Sequence, residues 1–397
     1  MPNPSPFHRR TTSLCRSYRW KDWAGYYAVC AYDTYPEREY FAIRHAAALL
    51  DVTPLFKYDV HGPDAAAALA RIVAKDVTKL KVGQVAYVCW CDEAGKLLDD
   101  GTVSRLADTQ FRVTAAEPNL AWFGRNVRGF DVSIEDVTGR VAAVSLQGPT
   151  SRDVLKRITD ADLDSLRFFR LTRARIDGFD AIVTRTGYTG DLGFEIWVDN
   201  AHALSLWDAL MDAGKSFGME PTGLDALDVS RVEAGFIMNG VDYYSANHCL
   251  IESRKSTPYE TDLGWTVNLD RAPFIGQTAL AAEKERGPAR RFVGLEIDWD
   301  ELERLFAAVG LPPAVSSAAW RAAVPVFDTR GRQIGQATSG AWSPMLKKNL
   351  ALATVRSPHG EVGETLSMEV TVEYVRHRVK ATVAKKPFFD PPRKRSQ

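Results

Sequence analysis

The stretch Val141-Ala142-Ala143-Val144-Ser145-Leu146-Gln147-Gly148-Pro149 decides how this chain is built. Val141 to Leu146 read as a strand, Gly148 permits a sharp turn, and Pro149 suits the first turn of a helix. Tyr58-Asp59-Val60-His61-Gly62-Pro63 is an earlier copy of the same pattern. Leu69, Arg71, Ile72, Asp76 and Leu80 follow Pro63, and Leu155, Arg157, Ile158, Asp162 and Leu166 follow Pro149, each pair at one offset of 86 residues. In-phase matches running through both helices predict two related lobes.

Between the copies, Val85 to Cys91 alternates as a strand, Asp92-Glu93-Ala94-Gly95 turns, and Lys96 to Leu106 returns. A third strand over Gln110 to Thr114 and a helix from Pro118 to Arg128 follow. After the second copy come a hairpin over Ala181 to Val198 and a helix over His202 to Gly214, with Leu204, Leu206, Trp207, Leu210 and Met211 facing inward. The charged, apolar-poor run Ala282 to Arg291 reads as a linker. Beyond it, short strand patterns from Phe292 to Tyr374, interrupted by a helix over Glu301 to Val309, predict a β-barrel or sandwich, and the tail PPRKRSQ reads as a frayed basic end. The expected domains are therefore residues 1–287, holding the two related lobes, and residues 288–390.

Of the 397 residues, 50 Lys and Arg balance 50 Asp and Glu, so no long-range field recruits nucleic acid or an anionic membrane. A small molecule or another protein is the expected partner. No apolar run reaches the roughly 18 residues that span a bilayer, and no hydrophobic stretch follows the basic pair of MPNPSPFHRR, which reads as a cytoplasmic protein. The 5 cysteines form no C-x-x-C pair and the 7 histidines no ligand cluster, so neither metal nor disulfide is expected. G-x-G-x-x-G, P-loop and G-x-S-x-G signatures are missing, which argues against dinucleotide, nucleoside triphosphate and serine-esterase chemistry.

Three stretches remain that could carry chemistry. In Leu97-Leu98-Asp99-Asp100-Gly101 neighbouring side chains point to opposite faces of a strand, so one Asp must face inward and needs a partner or a ligand. In Thr186-Gly187-Tyr188-Thr189-Gly190-Asp191-Leu192-Gly193-Phe194-Glu195-Ile196-Trp197 three glycines allow close backbone approach, and Glu195 shares a face with Trp197. A carboxylate beside an aromatic plate suits a flat heterocycle with an amidine-like edge, two N–H groups meeting two oxygens. The third stretch, Gly223 to Gly235, keeps helical spacing and carries Arg231 and Glu233 near its end.

In their order, Tyr87, Leu98-Asp99-Asp100, Gln147-Gly148-Pro149, Thr186-Gly187-Tyr188-Thr189-Gly190, Gly193-Phe194-Glu195, Arg231-Val232-Glu233-Ala234-Gly235, Leu263-Gly264-Trp265, Phe274-Ile275-Gly276 and Thr338-Ser339-Gly340-Ala341-Trp342-Ser343-Pro344 resemble the aminomethyltransferase family, the glycine-cleavage T-protein and its relatives. The resemblance runs co-linearly over about residues 35 to 385. It implies an α+β, three-lobed cloverleaf around a central folate channel, with a C-terminal β-barrel, and tetrahydrofolate as cofactor. Glu195 matches the pterin-edge carboxylate, and Tyr188, Arg231 and Trp265 match other folate contacts, with Tyr87 and Val113 beside them. Asp99 matches the catalytic acid near the folate nitrogens.

Two departures point to a different donor. Asp51-Val52-Thr53-Pro54-Leu55-Phe56-Lys57-Tyr58 stands where T-proteins carry Asp-Val-Ser-His-Met, and the stretch between Gly240 and Gly264 is longer, with Tyr243, Tyr244, His248 and Tyr259 in it. Both argue against a lipoyl carrier protein as partner. The reading is a tetrahydrofolate-dependent methyltransferase, or demethylase, acting on a small O-, S- or N-methylated substrate. Trp197, Tyr243, Tyr244 and His248 are the expected substrate contacts, and Tyr243 or Tyr244 the proton donor to a phenolate leaving group. The alternatives are a true glycine-cleavage aminomethyltransferase and a folate-binding protein without turnover.

Overall fold

The computed structural model describes residues 1–396. In the first lobe, strand Phe56–His61 leads through Gly62 into helix Ala65–Ile72. A meander of Val85–Cys91, Leu97–Ala107 and Gln110–Ala115 then brings its last strand back antiparallel to the first. In the second lobe, strand Val141–Gln147, helix Ser151–Lys156 and the meander Leu171–Ile176, Phe179–Thr184 and Gly193–Asp199 repeat that path. Asp59 and Ser145 occupy equivalent places and pair with Arg112 and Glu195 respectively. Gly62 and Gly148 both hold positive φ, 139° and 119°. A Cβ at either would strike main-chain oxygens, of Asp131 at 2.3 Å and of Ala46 at 2.5 Å, so the repeat needs glycine at that turn.

The third lobe is a closed six-stranded barrel: Arg290–Ile297, Lys348–Arg356, Gln333–Ser343, Val324–Phe327, Thr365–Val372 and Val375–Ala384, which pairs back to the first strand. Asp298 caps the inserted helix Trp299–Ala307 by accepting from the Glu301 N–H at 3.0 Å. Each lobe has its own apolar core. A further core joins all three, with Cys89 and Leu97 from the first lobe, Ala143 and Trp197 from the second, and Phe292 and Leu350 from the barrel. No helix among the described residues is long and apolar enough to cross a membrane.

Two expectations are corrected. Half of the charged run read as a linker is the end of helix Gln277–Arg286, which stops at Gly287 with φ 80°, and its last two residues open the barrel strand Arg290–Ile297, leaving a short connection between them. The basic tail is docked rather than frayed. Arg393 forms a bidentate pair with buried Asp191 at 2.7 and 2.8 Å, Lys394 is buried, and Arg185 donates to the Arg393 and Lys394 carbonyls. The Phe388 and Phe389 N–H groups reach the Glu233 carbonyl at 2.9 and 3.0 Å, tying the segment to the central helix.

Candidate functional site

Helix Leu224–Glu233 lies where the lobes meet, and nearly all of its residues are buried, charged ones included. Each buried charge has partners, as burial requires. Arg231 donates to Asp228 at 2.7 Å and to Asp242 at 2.6 Å, and Asp242 also accepts from Thr338 and Ser339 of the barrel at 2.5 and 2.9 Å. Glu233 accepts from Arg44 at 2.6 Å and from Tyr40 and Ser343 at 2.5 Å. Arg231 keeps one nitrogen, Nη2, buried and without a partner among the described residues.

Strand alternation splits the two acids of Leu97–Ala107. Asp99 turns into the first lobe and is fully buried, accepting from the Glu117 N–H, Asn119 Nδ2 and Asn239 Nδ2, each at 2.9 Å, besides the Asp100 N–H at 2.9 Å. Asp100 faces the three-lobe junction, where it accepts from the Tyr87 hydroxyl and from the Tyr243 hydroxyl at 2.5 Å. Burial raises both carboxyls above the usual range, and the Asp100 charge raises Asp99 further. Of the two acids it is thus Asp100 whose oxygens meet the aromatic hydroxyls at the junction, while Asp99 is held by first-lobe donors and Asn239, with the Tyr243 hydroxyl 3.5 Å from its Oδ1. Asn239, which sequence reasoning missed, leaves its Oδ1 buried and unpaired next to this dyad.

Aromatic plates surround Asp100. Tyr87 stacks with Trp265, centroids 5.8 Å apart at 16°, and Trp265 is 60% exposed with the Lys75 ammonium 4.7 Å from its ring. Tyr188 stacks with Phe236 at 5.5 Å and donates to the Ile237 carbonyl. Glu195 is partly exposed, with Oε2 accepting from Thr186 at 3.0 Å, and burial raises its carboxyl above the usual range. Two of the nearby glycines serve the protein itself: a Cβ at Gly187 or Gly193 would lie 2.1 or 2.2 Å from the Gln147 amide oxygen, which Thr189 holds at 2.8 Å.

Other expected contacts lie elsewhere. Val113 is fully buried in the first-lobe core, so its side chain does not reach the junction. Trp197 is 4% exposed and has the Arg112 guanidinium 5.3 Å from its ring, so a cation of the protein already covers one face of that plate. Tyr244 is exposed and makes no hydrogen bond to either acid, and its backbone bridges to that of Lys255. With Tyr243 it lines a cleft of about 400 Å³ between the 241–256 loop and the barrel. His248 is exposed and pairs with Glu117 at 2.9 Å.

Residues 12–271 match the family described as GCVT N-terminal domain, and residues 290–390 the one described as Glycine cleavage T-protein C-terminal barrel domain. The chain is 32% identical to an aminomethyltransferase of Caldanaerobacter subterraneus subsp. tengcongensis over 88% of its own length and 87% of that protein. It is also 34% identical to a trimethylamine-oxide aldolase of Ruegeria pomeroyi over 100% of its own length and 48% of that longer protein. Its fold is similar to the crystal structure of glycine cleavage system aminomethyltransferase T from Bartonella henselae, with a TM-score of 0.83 and 25% identity over 98% of this chain and 99% of that one.

Proposed function

The chain belongs to the glycine-cleavage T-protein (aminomethyltransferase) family, and from that premise we propose that it is a tetrahydrofolate-dependent transferase moving a methyl group from a small O-, S- or N-methylated substrate to tetrahydrofolate. The observation that carries the reading is a set of unfilled polar atoms on the central helix, the loop that follows it and the second-lobe sheet. Arg231 Nη2 and Asn239 Oδ1 are buried donor and acceptor without partners, and Glu195 has one oxygen bonded to Thr186. Other buried polar atoms of the chain also lack partners, but these two belong to the central helix and the loop that follows it, beside the acid pair, where a polar ligand would satisfy both. Glu195 would hold the donor edge of a pterin, and Tyr87, Tyr188 and Trp265 would face its rings. When bound, tetrahydrofolate supplies the nucleophilic nitrogen that receives the one-carbon unit.

The chain's own contribution is positioning and proton handling. Tyr243 stands between the 400 Å³ cleft and Asp100, with its hydroxyl proton already committed to that carboxylate. Burial and the neighbouring acids raise Tyr243 well above an ordinary phenol, so it stays protonated, and turning its O–H from Asp100 to the donor would let it hydrogen-bond a developing phenolate. The aldolase named for trimethylamine oxide acts, by its name, on a small N-methylated compound, which supports a small donor here. The similarity to proteins named aminomethyltransferase supports a second reading, transfer from an aminomethylated carrier protein.

Mass spectrometry after incubation with tetrahydrofolate and a panel of methylated compounds separates the readings. The first expects 5-methyl-tetrahydrofolate. Methylene-tetrahydrofolate and ammonia formed from an aminomethylated lipoyl carrier would establish the second. Tetrahydrofolate binding without either product would leave a binding protein.

A further inference from the structure

The cleft of about 400 Å³ between the 241–256 loop and the barrel has the size of a small-ligand pocket, roughly 300–1,000 Å³. Its barrel wall follows from strand alternation. Val355 belongs to the barrel core, which turns Thr354 and Arg356 outward, and Gln336 lies across from Thr354 on the neighbouring strand.

Arg290 fastens the loop wall to that barrel wall. It stands in register with Arg356, and its guanidinium donates to Glu260 at 2.7 and 3.0 Å and to the Ser253 and Lys255 carbonyls at 3.1 and 2.5 Å. The residues on either side of Arg254 are therefore tied to the barrel. Arg254, Arg290 and Arg356 all border the cleft.

The acids there are already committed. Asp242, the one acid lining the cleft among the described residues, is buried and held by Arg231, Thr338 and Ser339, and Glu260 is taken by Arg290. Arg254 and Arg356 are exposed, and neither has an ion-pair partner among the described residues. In a chain whose 50 cations and 50 acids balance, this is a local excess of positive charge. A cleft walled by one sign of charge concentrates the opposite ion, and a guanidinium fork matches the two oxygens of a carboxylate. Tyr243 and Tyr244 line the same cleft, so an anion on a carbon body fits it better than a bare inorganic one.

We propose that this cleft binds a small organic carboxylate, with Arg254 and Arg356 as its free cations. Because the Tyr243 hydroxyl meets Asp100, the cleft and the three-lobe junction share a side-chain wall. Two molecules of the proposed reaction can carry such a group: a methyl donor that is itself a carboxylic acid, and tetrahydrofolate through its glutamate end. Assigning the source rests on the folate reading above, whereas the site stands on the cleft alone.

Calorimetric titration with benzoate and with neutral benzamide tests the site. Benzoate should bind at least about 10-fold more tightly than benzamide, and Arg254→Gln and Arg356→Gln should each weaken it by about 5-fold. Both side chains are exposed, so the variants keep the fold. Benzamide binding as tightly as benzoate, wild-type benzoate affinity in both variants, or inorganic phosphate binding equally well would each overturn the proposal. The source is read from two further comparisons. Variants that weaken tetrahydrofolate but not tetrahydropterin, which lacks the glutamate, place the folate tail in the cleft. Variants that raise KM for methoxybenzoate but not for methoxybenzene, with tetrahydrofolate affinity unchanged, place the donor there. Neither effect in a protein that binds tetrahydrofolate sinks this inference alone. Arginine-dependent benzoate binding by a protein that binds no tetrahydrofolate keeps the site and removes the folate reading.

Discussion

The Tyr243 hydroxyl donates to Asp100 Oδ1 at 2.5 Å, joining the loop after the central helix to the inner strand of the first lobe across 143 residues of chain. Tyr87 donates to the other oxygen, so one carboxylate orders two phenols. Tyr243 and Tyr244 consequently have different fates although they are neighbours. Tyr243→Phe should leave tetrahydrofolate affinity nearly intact and slow transfer from a methoxyarene by about 100-fold, the low end for a lost proton donor. Transfer from a sulfonium or betaine should suffer less, because its leaving group departs neutral. Tyr244→Phe should turn over every donor near the wild-type rate. Rates measured per donor decide it, and equal losses in both variants would contradict the geometry.

The two acids of Leu97–Ala107 should also separate cleanly. Asp100→Asn should fold normally, bind tetrahydrofolate and lose most of its turnover. Asp99→Asn sets an amide NH₂ against the donors on one side, either Glu117 and Asn119 or Asn239 and the Asp100 N–H. That conflict should cost about 3 kcal/mol of stability. Denaturant melts alongside single-turnover rates check both. Full activity in Asp100→Asn would move the reacting centre elsewhere.

That division marks the limit of what the sequence conveyed. Alternation along Leu97 to Gly101 requires one Asp to face inward, but both faces of this strand are inner ones: one meets the first-lobe core and the other the three-lobe junction. Only tertiary packing tells them apart. The Gly-Pro repeat was legible because two backbone turns need glycine for the same steric reason. The glycines around Tyr188 signalled close approach correctly, yet the approaching group is Gln147 of the chain itself for Gly187 and Gly193. Lys57 carried no sequence signal, since a lysine in a strand is normally solvated, and only the folded chain buries it against the Thr53 and Leu55 carbonyls. The docked tail escaped notice because Asp191, its ion partner, is distant in sequence.

Glu195→Ala should weaken tetrahydrofolate by about 1.5–3 kcal/mol, the range for hydrogen bonds to a charged group. Glu195→Gln keeps one acceptor and should lose less. The protein has 10 tryptophans, and Trp265 is both exposed and stacked on Tyr87, so quenching titrations report binding directly. Unchanged affinity in Glu195→Ala would refute the pterin assignment.

Arg393 anchors the tail to Asp191, which is buried and otherwise has the Leu192 N–H at 2.7 Å and Arg44 at 3.5 Å. Arg393→Ala should destabilise the fold by about 1–3 kcal/mol, because a buried carboxylate loses its bidentate donor. Arg393→Lys, a point charge without the fork, should recover part of that. Thermal melts of the three proteins would show the order wild type, lysine, alanine, and an alanine variant melting with wild type would mean the tail contributes nothing to stability.

Lys57 gives the pH dependence of stability a definite sign. Burial pushes its ammonium down to about 7 from an ordinary 10.5. Between those values the unfolded chain binds a proton that the folded chain does not, so this residue makes stability rise as pH climbs from about 7 towards 10.5. The slope from one such group is at most about 1.4 kcal/mol per pH unit. Below about 7 the folded protein must also charge the buried amine, and the full penalty applies. Lys57→Met has no proton to exchange, so its stability should exceed wild type most at pH 6 and least at pH 9.5. Other lysines titrate equally in both proteins and cancel in the difference. Urea unfolding at the two pH values measures that difference, and parallel curves would show that Lys57 keeps an ordinary proton affinity in the folded state.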